Sequence, residues 1–211
     1  MTDQGRNLRI DRRGRSPLLV SVRPMADHDL PCVESALPSS DSDVHARRLD
    51  DQRGGLATYF VAWLGQQSVG HTLVRWNGTG NIVLSARLSE RVRHPYIEGL
   101  AVHPDWQSRT IGTQILAAVE REAVRRGHQE IGLAVALDNV RARALYDRLG
   151  YRDAGVGVFA SDWAHFDDFG RRHVETETCV YLVKCLEAGT SCSPDRTAQV
   201  ANVHAASEEH P

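Results

Sequence analysis

The stretch from Val102 to Leu116, VHPDWQSRTIGTQIL, holds the residues whose types and order best suit chemistry. A short polar turn runs into Gly112, and a helical pattern follows at once. Such a turn presents unpaired backbone N–H groups at the positive end of the helix dipole, which bind phosphate without a cationic side chain. Taken alone, QSRTIG is equally compatible with an ordinary strand-to-helix loop, because Gly112 is its single glycine.

The elements around this turn follow from hydrophobic periodicity. PYIEGLAVHP, before the turn, is typical of a strand, and EIGLAVAL is typical of a strand buried on both faces. Between them a helix is predicted over about 113–126, with one apolar stripe and Gly127 at its end. A second helix, NVRARALYDRLGY, has Asn139 as its expected N-cap and Gly150 as its stop.

The rest of the chain supplies the sheet. PLLVSVRPM predicts a first strand, and ADHDLPCVESAL and SDVHARRLDDQRG predict two helices. ATYFVAWLGQQ and SVGHTLVRWNGTG indicate a hairpin, and DAGVGVFA and ETETCVYLVKCL indicate two closing strands. The order β-α-α-β-β-β-α-β-α-β-β predicts a mixed sheet with helices on its faces. One domain is expected over 17–186, between a mobile basic tail at 1–16 and a disordered tail at 187–211.

Composition narrows the classes of function. The 211 residues are 41% hydrophobic and 25% charged, which is ordinary for a globular domain. A formal net charge of -2 gives no electrostatic case for nucleic acid, and no apolar run approaches the roughly 20 residues of a membrane span. The basic N-terminus lacks the apolar core of a secretory signal. Scattered cysteines without metal-ligand spacing favour free thiols in a reducing cytoplasm and predict no metal site.

Three blocks in the right order make the chain resemble the GNAT family of acyl-CoA N-acyltransferases. They are IEGLAVHPDWQ, the motif at 107–112, and LDNVRARALYDRLGYRDAG. The family's motif is Gln/Arg-x-x-Gly-x-Gly/Ala, so Thr110 departs from it where the family has glycine. The resemblance implies the GNAT α/β fold, with a mixed, mostly antiparallel central sheet of about seven strands flanked by helices. It also implies acetyl-CoA as the cofactor.

The resemblance implies two groups of contacts with acetyl-CoA. Strand residues Leu100, Ala101 and Val102 would pair with pantetheine, which enters between two splayed strands. The Val102 N–H would donate to the thioester carbonyl, and Gly99 would form the bulge that opens the strands. The pyrophosphate would be held by Gln107, Ser108, Arg109, Thr110, Ile111, Gly112 and Thr113.

Two of the cofactor positions have more than one interpretation. If Thr110 has a negative φ, its N–H still donates and its hydroxyl can donate to a phosphate oxygen, whereas its Cβ can instead crowd the pyrophosphate. Asn139 matches the family position that binds the cofactor arm, and a helix-capping role is equally compatible.

Two side chains match catalytic positions of the family. Tyr146 would protonate the departing CoA thiolate, although its place on an apolar helix face is also typical of a core residue. Glu98 would take the proton of the amine through a water, because it lies two residues before Leu100 and is expected to share its face. A solvated or ion-paired glutamate is the alternative, and His71 and His165 stay open as bases.

The acceptor side is expected to include the long hairpin ASDWAHFDDFGRRHVE. Its aromatic rings alternate with carboxylates, which suits a cationic amine on an apolar body, and a solvated hairpin tip is the alternative. The residues concerned are Trp163, Phe166, Phe169, Asp162, Asp167 and Asp168.

The function predicted from these residues is acetyl transfer to a primary amine by direct attack in a ternary complex. A small-molecule amine is favoured over a protein N-terminus or lysine, because the hairpin would tend to close the site. A non-catalytic acyl-CoA-binding sensor or scaffold is the alternative, and Thr110 is its best support. Neither nucleic acid nor membrane is an expected partner, and a homodimer is common among the proteins that this one resembles.

Overall fold

The computed structural model describes residues 18–39, 41–88, 94–167, 169 and 171–186. Both predicted tails, 1–16 and 187–211, lie entirely outside the described residues. The same holds for Asp168 and for the side chains of His165 and Phe166.

The helices and strands of the described residues follow one another through the whole domain. The helices are α1 (Leu30–Ala36), α2 (Val44–Arg53), α3 (Ile82–Arg87), α4 (Ile111–Arg125) and α5 (Val140–Arg148). The strands are β1 (Ser21–Pro24), β2 (Ala57–Leu64), β3 (Gln67–Arg75), β4 (Tyr96–Val102), β5 (Glu130–Ala136), β6 (Arg152–Asp153), β7 (Phe159–Phe166) and β8 (Arg172–Cys185).

The predicted order of elements is confirmed, with two additions. The helix α3 lies between β3 and β4, where its first turn is capped by Asn81, whose side chain accepts from the Leu84 N–H at 2.9 Å. The segment DAGVGVFA was expected to form one strand, but it contributes to both β6 and β7. Gly155 and Gly157 cause this division, because their φ values of +73° and +75° interrupt an extended chain.

The eight strands form one mixed sheet in the order β1-β2-β3-β4-β5-β8-β6, with β7 paired to β8. Every pairing is antiparallel except that of β4 with β5, which is parallel. The mostly antiparallel sheet is thus confirmed, and the strand beyond the expected seven is the two-residue β6. The parallel pair lies at the centre, where a change of strand direction in an α/β sheet commonly creates a ligand site.

Helices cover both faces of the sheet because successive strand residues point to opposite sides. On one face, Tyr59 and Leu73 pack with Val33 of α1 and Leu49 of α2. On the other face, a core that includes Phe60 and Val74 packs against α4 and α5. The predicted stripe of α4 is buried as expected, and its members are Ile115, Leu116, Val119 and Ala123. The helix begins two residues earlier than predicted, and its first residue, Ile111, is buried with them. In the part of the chain that the structure describes, no helix has the length and apolar character needed to cross a membrane.

Candidate active site

Strands β4 and β5 separate halfway along their length. Their parallel pairing ends at Ile97 and Leu133, although β4 continues to Val102 and β5 to Ala136. Among the described residues, the second half of β4 has no strand partner on its β5 side. Backbone groups left open in this way accept an extended ligand as an added strand. This geometry is the opening that the family resemblance implies.

A β-bulge at Gly99 bends β4 at the start of this opening. Leu73 of β3 faces Glu98, but His71 faces Ala101, so β4 has one residue more than β3 over this length. Gly99 has φ +62°, a value that side chains with a Cβ rarely adopt. The bulge predicted at Gly99 is therefore present.

The same bulge makes the prediction that Glu98 and Leu100 share a face wrong. Leu100 packs with the apolar residues that contact α4. Glu98 instead pairs with Arg75 of β3, whose guanidinium also binds Asp51 of α2. The extra residue in the bulge shifts the alternation of side chains, so Glu98 lies on the α1–α2 face and Leu100 on the α4–α5 face.

The backbone of β4 alternates between β3 and the opening. The His103 N–H donates to the Val69 carbonyl at 3.0 Å, which fixes the pairing with β3 at that point. Because hydrogen-bonded positions recur every second residue, Ala101 also directs its backbone groups to β3. Leu100 and Val102 face the opening, and the Val102 carbonyl accepts from Gln107 Nε2 at 3.1 Å. Of the three residues predicted to contact pantetheine, Leu100 and Val102 have backbone groups that face the opening.

The N-terminus of α4 closes one end of the opening. No described residue accepts a hydrogen bond from the backbone N–H groups of Ile111, Gly112 and Thr113, and no side chain caps the helix. These donors at the positive end of the helix dipole form an anion cradle. The turn before them is strained, because Ser108 and Thr110 have φ values of +62° and +66° without being glycine.

The positive φ of Thr110 changes the interpretation of its side chain. The expectation that the N–H is unaffected rested on a negative φ, which the structure contradicts. The Thr110 hydroxyl donates to the Arg109 carbonyl at 2.6 Å and accepts from Gln114 Nε2 at 3.3 Å. Its proton is therefore engaged within the turn, which leaves the backbone amides of α4 as the donors open to an anion.

A groove of about 600 Å³ runs from this cradle along α5. It brings together most of the predicted cofactor residues: Leu100, Val102, Gln107, Ser108, Thr110, Ile111, Gly112, Thr113, Asn139 and Tyr146. Ala101 and Arg109 do not line it, and the Arg109 guanidinium lies 5.0 Å from the Trp106 ring centroid instead. Glu98 lies outside the groove because it is on the other face of the sheet.

Tyr146 is the most buried polar side chain of the groove. It is 8% exposed, and its ring meets that of Tyr151 edge-on with centroids 5.7 Å apart. Burial raises the pKa of Tyr146 to about 12, so its hydroxyl keeps its proton at neutral pH. The residue is both a core side chain and a hydroxyl donor that faces the groove.

Asn139 has the capping role that the sequence left open. Its Oδ1 accepts from the Ala142 N–H at 3.0 Å, at the start of α5. This bond uses only the carbonyl of the side-chain amide. The Nδ2 group remains as a donor on the wall of the groove, so capping does not exclude ligand contact.

Arg141 of α5 is a groove residue that the sequence analysis missed. Its two terminal nitrogens donate to Gln107 Oε1 and to Ser108 Oγ, both at 3.0 Å, so the guanidinium spans the cradle turn. One signal was available in the sequence. A cation in the first turn of a helix interacts unfavourably with the helix dipole, so an arginine at that position indicates a role other than helix stability. Arg141 has that position, directly after the cap residue Asn139 and Val140.

The face of the sheet opposite the groove carries ionised side chains from three elements. Arg75 of β3 donates through Nε to Glu98 Oε2 at 2.8 Å and through Nη2 to Asp51 Oδ2 at 2.9 Å. The Glu98 Oε1 atom accepts no hydrogen bond from the described residues. The glutamate is thus ion-paired and partly exposed, with one oxygen available for proton transfer.

Two neutral histidines lie next to this ion-pair network. His45 Nε2 must donate to the Leu37 carbonyl at 2.7 Å, so its Nδ1 accepts from the Tyr59 hydroxyl at 2.6 Å. His71 Nδ1 must accept from Arg48 Nη1 at 3.0 Å, which places its proton on Nε2. Burial and the adjacent Arg48 hold the pKa of His71 well below its usual range. His71 is therefore neutral but has no free lone pair with which to act as a base.

The hairpin of β7 and β8 uses its described carboxylates internally. Asp162 accepts from the Thr176 hydroxyl at 2.7 Å. Asp167 binds His173 and Arg171, and these hydrogen bonds, with that of His173 the largest cause, lower its pKa to about 2. Trp163 donates to a glutamate of β8, and Phe169 is 83% exposed. These contacts favour the solvated hairpin tip over a lining of the acceptor site.

Comparisons with known proteins agree with this geometry. The model of the acetyltransferase (GNAT) family matches residues 22–151, more than half of the chain. The mycothiol acetyltransferase of Clavibacter sepedonicus is 46% identical over 59 residues, which are 28% of this chain and 19% of that protein. The chain therefore aligns with about a fifth of that relative's length.

Solved structures show the same fold at low sequence identity. The ribosomal-protein-S18-alanine N-acetyltransferase from Escherichia coli is 17% identical with a TM-score of 0.55, over 82% of this chain and 98% of that one. The PaiA N-acetyltransferase from Thermoplasma acidophilum, in complex with coenzyme A, is 12% identical with a TM-score of 0.53, over 79% and 99%. Together with the splayed strands and the cradle, the family match leads to one conclusion: the chain belongs to the GNAT acetyltransferase family.

Proposed function

We propose that the protein transfers an acetyl group from acetyl-CoA to the primary amine of a small molecule. The observation that carries this proposal is the continuity of the groove, which leads from the free amides of α4, past the unpaired half of β4, to the hydroxyl of Tyr146. An acyl-CoA needs these three features in this order, namely anion donors, a strand edge and a proton donor.

The groove residues fit the parts of acetyl-CoA. The amides of Ile111, Gly112 and Thr113 would hold the pyrophosphate, with the charge of Arg141 above the same turn. Leu100 and Val102 would present backbone groups to the pantetheine arm. When bound, acetyl-CoA supplies an acetyl group activated as a thioester.

Each step of the transfer has a residue in this proposal. Glu98 takes one proton of the acceptor ammonium through Oε1, directly or through one water, and the neutral amine then attacks the thioester. Arg75 holds the Glu98 carboxylate in place. The Val102 N–H donates to the carbonyl oxygen as negative charge develops there. The new C–N bond forms as the C–S bond breaks, and the Tyr146 hydroxyl gives its proton to the sulfur. The second proton that the nitrogen loses in becoming an amide restores the Tyr146 hydroxyl through solvent, and the proton on Glu98 is released to water. His71 is not assigned this role, because its Nδ1 lone pair accepts from Arg48 and its Nε2 carries the proton.

The test follows CoA thiol release with a panel of amines. General acid or base catalysis contributes about 100-fold or more, so Tyr146→Phe and Glu98→Gln are each expected to lower kcat by about that factor. Neither variant should change the melting-temperature increase that acetyl-CoA produces. Tyr151→Phe is the matched control, because Tyr151 touches the Tyr146 ring but bonds Glu120 outside the groove. Unchanged kcat in both site variants would remove these residues from the mechanism.

A non-catalytic acyl-CoA sensor is the second candidate. Thr110 favours it, because a threonine with φ +66° stands on the cradle turn where the family's motif has glycine. The same assay separates the two functions. Acetyl-CoA that raises the melting temperature without thiol release from any amine or peptide would support the sensor.

A further inference from the structure

The guanidinium of Arg48 lies against the bulge of β4, next to the glutamate proposed as the base. A Cβ added to Gly99 would collide with Arg48 Nη2, so the two are in close contact. Glu98 is the residue immediately before Gly99, and its carboxylate lies on the same α1–α2 face as α2, which carries Arg48. A cation and a carboxylate thus flank the bulge on the side away from the cofactor groove.

Arg48 differs from the other arginines near it in having no carboxylate partner. Arg47, Arg53 and Arg75 each form an ion pair with at least one aspartate. No carboxylate oxygen of the described residues lies within 4.0 Å of the Arg48 guanidinium.

The side chains in direct contact with Arg48 are neutral. Its Nη1 donates to the neutral imidazole of His71 at 3.0 Å, and the guanidinium lies 5.6 Å from the Tyr59 ring centroid. Burial raises the pKa of Tyr59 to about 12, and the Tyr59 hydroxyl donates to neutral His45. Asp41, whose pKa is lowered mainly by its hydrogen bond with Arg47, is a described carboxylate on which Arg48 also acts, at longer range. A partly buried cation without a carboxylate in direct contact has lost hydration and keeps donors for a further anion. An anionic ligand would accept from those donors.

We propose that Arg48 binds an acidic group of the acceptor, so that the acceptor is an amine that also carries a carboxylate a few bonds away. This inference rests on the proposed function of the site. Glu98 attracts the ammonium end of the acceptor. Arg48 of α2, whose guanidinium lies against the next β4 residue, Gly99, attracts the carboxylate end. The arrangement suits an α-amino acid or a close analogue, and it disfavours a peptide N-terminus or a purely cationic polyamine, which bring no acid to Arg48.

The kinetic test compares the standard amino acids with their carboxamides, in which the amine is kept and the negative charge is removed. For the best amino acid, amidation is expected to lower kcat/KM by about 10- to 100-fold, the range of a hydrogen bond to a charged group. Arg48→Gln should lower kcat/KM for the acid by a similar factor and bring the acid-to-amide ratio close to one. Arg48→Lys should keep part of the preference, because it keeps the charge but not the planar fork.

Arg47→Gln is the matched control on the same helix, because Arg47 is exposed and pairs with Asp41. It should leave the acid-to-amide ratio unchanged. The KM for acetyl-CoA should be the same in all variants, since Arg48 lies outside the cofactor groove. Equal rates with acids and amides in the wild type, or a preserved ratio in Arg48→Gln, would overturn the inference.

Calorimetric titration keeps this inference separable from the proposed reaction. Amino acids are titrated into the protein saturated with CoA, and binding that Arg48→Gln weakens about tenfold is expected. If such binding is found but no amine releases CoA thiol, the proposed reaction is wrong and the Arg48 site stands. If amines turn over but no amino acid binds or is preferred, the Arg48 site is wrong and the reaction stands.

Discussion

The two sides of the Gly99 bulge are built in different ways. On the groove side, the candidate site consists mainly of backbone groups, from the segment 107–113 and from Leu100 and Val102 of β4, supplemented by α5. On the opposite side, it consists of side chains from α2, β2, β3 and β4. The first arrangement leaves hydrogen-bond donors unused, whereas the second pairs most of its polar groups with one another. Among the described residues, it leaves Arg48 without a carboxylate in contact. In the proposed reaction, the groove side binds the cofactor that the family shares. The opposite side of the sheet would recognise the particular acceptor.

The largest effect is expected from Gly99→Ala, because this residue joins the two sides. The new Cβ would have to adopt φ +62° and would displace Arg48. Displacement of groups by about 1 Å costs roughly 100-fold in rate, so kcat/KM for the acceptor should fall by at least that factor. Affinity for acetyl-CoA, measured by calorimetry, should change much less.

Gly65→Ala is the matched control for this prediction. Gly65 has nearly the same φ, +61°, and no atom lies within 4 Å of its added Cβ. Both variants should lose about 1–2 kcal/mol of stability from the left-handed backbone. Equal losses of activity in the two would show that the bulge has no special place in the site.

The acceptor side should make stability sensitive to pH. Burial lowers the folded-state pKa values of His45 and His71 below their ordinary value of 6.5, so the unfolded chain binds protons first as the pH falls. The stability from these neutral imidazoles is complete above about pH 6.5. It is lost on acidification by up to about 1.4 kcal/mol per pH unit for each imidazole that stays neutral.

Urea unfolding at pH 7.5 and pH 5.5 measures this dependence. His71→Asn should unfold with a smaller difference between the two pH values than the wild type. His94 and His128 shift in the same direction through burial and remain in both proteins, so they cancel in the comparison. Identical pH dependence in the variant and the wild type would contradict the neutral state of His71.

On the groove side, Arg141→Gln is expected to weaken acetyl-CoA binding about tenfold, because one charged hydrogen-bond donor to phosphate is lost. Arg143→Gln is the control on the same helix, since Arg143 does not line the groove and forms no side-chain hydrogen bond with the cradle turn among the described residues. The melting temperature of the free protein should barely change in either variant. Equal affinities in the two variants would remove Arg141 from the cofactor site.

The smallest expected effect is that of Thr110→Gly. It relieves a left-handed threonine, but it removes the hydrogen bonds of the Thr110 hydroxyl and adds the chain entropy of glycine, so the net gain in stability is up to about 1 kcal/mol. Thr113→Gly, in the helical first turn of α4, should instead cost roughly 0.3 kcal/mol, because the helix propensities of threonine and glycine differ by about that amount. Thermal unfolding of the two variants gives the comparison, and a greater loss of stability in Thr110→Gly than in Thr113→Gly would mean that the relief of strain does not offset the lost hydrogen bonds.

The contrast between the two sides also explains what the sequence could predict. One local motif and the neighbouring helices determine the cradle, the splayed strands and the position of Tyr146. The order of these elements along the chain was therefore sufficient to predict all three. The face of Glu98 was predicted wrongly, because alternation assumes a regular strand and one glycine bulge shifts it. The partnership of Arg48 with His71 joins residues 23 positions apart, and no local pattern contains it.

Calorimetric titration with acetyl-CoA of the wild type and of Gly112→Leu tests the central claim, that the groove binds the cofactor, most directly. The added Cβ of Gly112 has Leu145 Cδ2 at 3.7 Å and Val102 Cγ2 at 3.9 Å, so a leucine there can fold but would occupy the groove. We predict saturable 1:1 binding to the wild type and a loss of at least about tenfold in the variant, or 1.4 kcal/mol. No binding to the wild type at millimolar acetyl-CoA, or equal affinity in the two proteins, would contradict it.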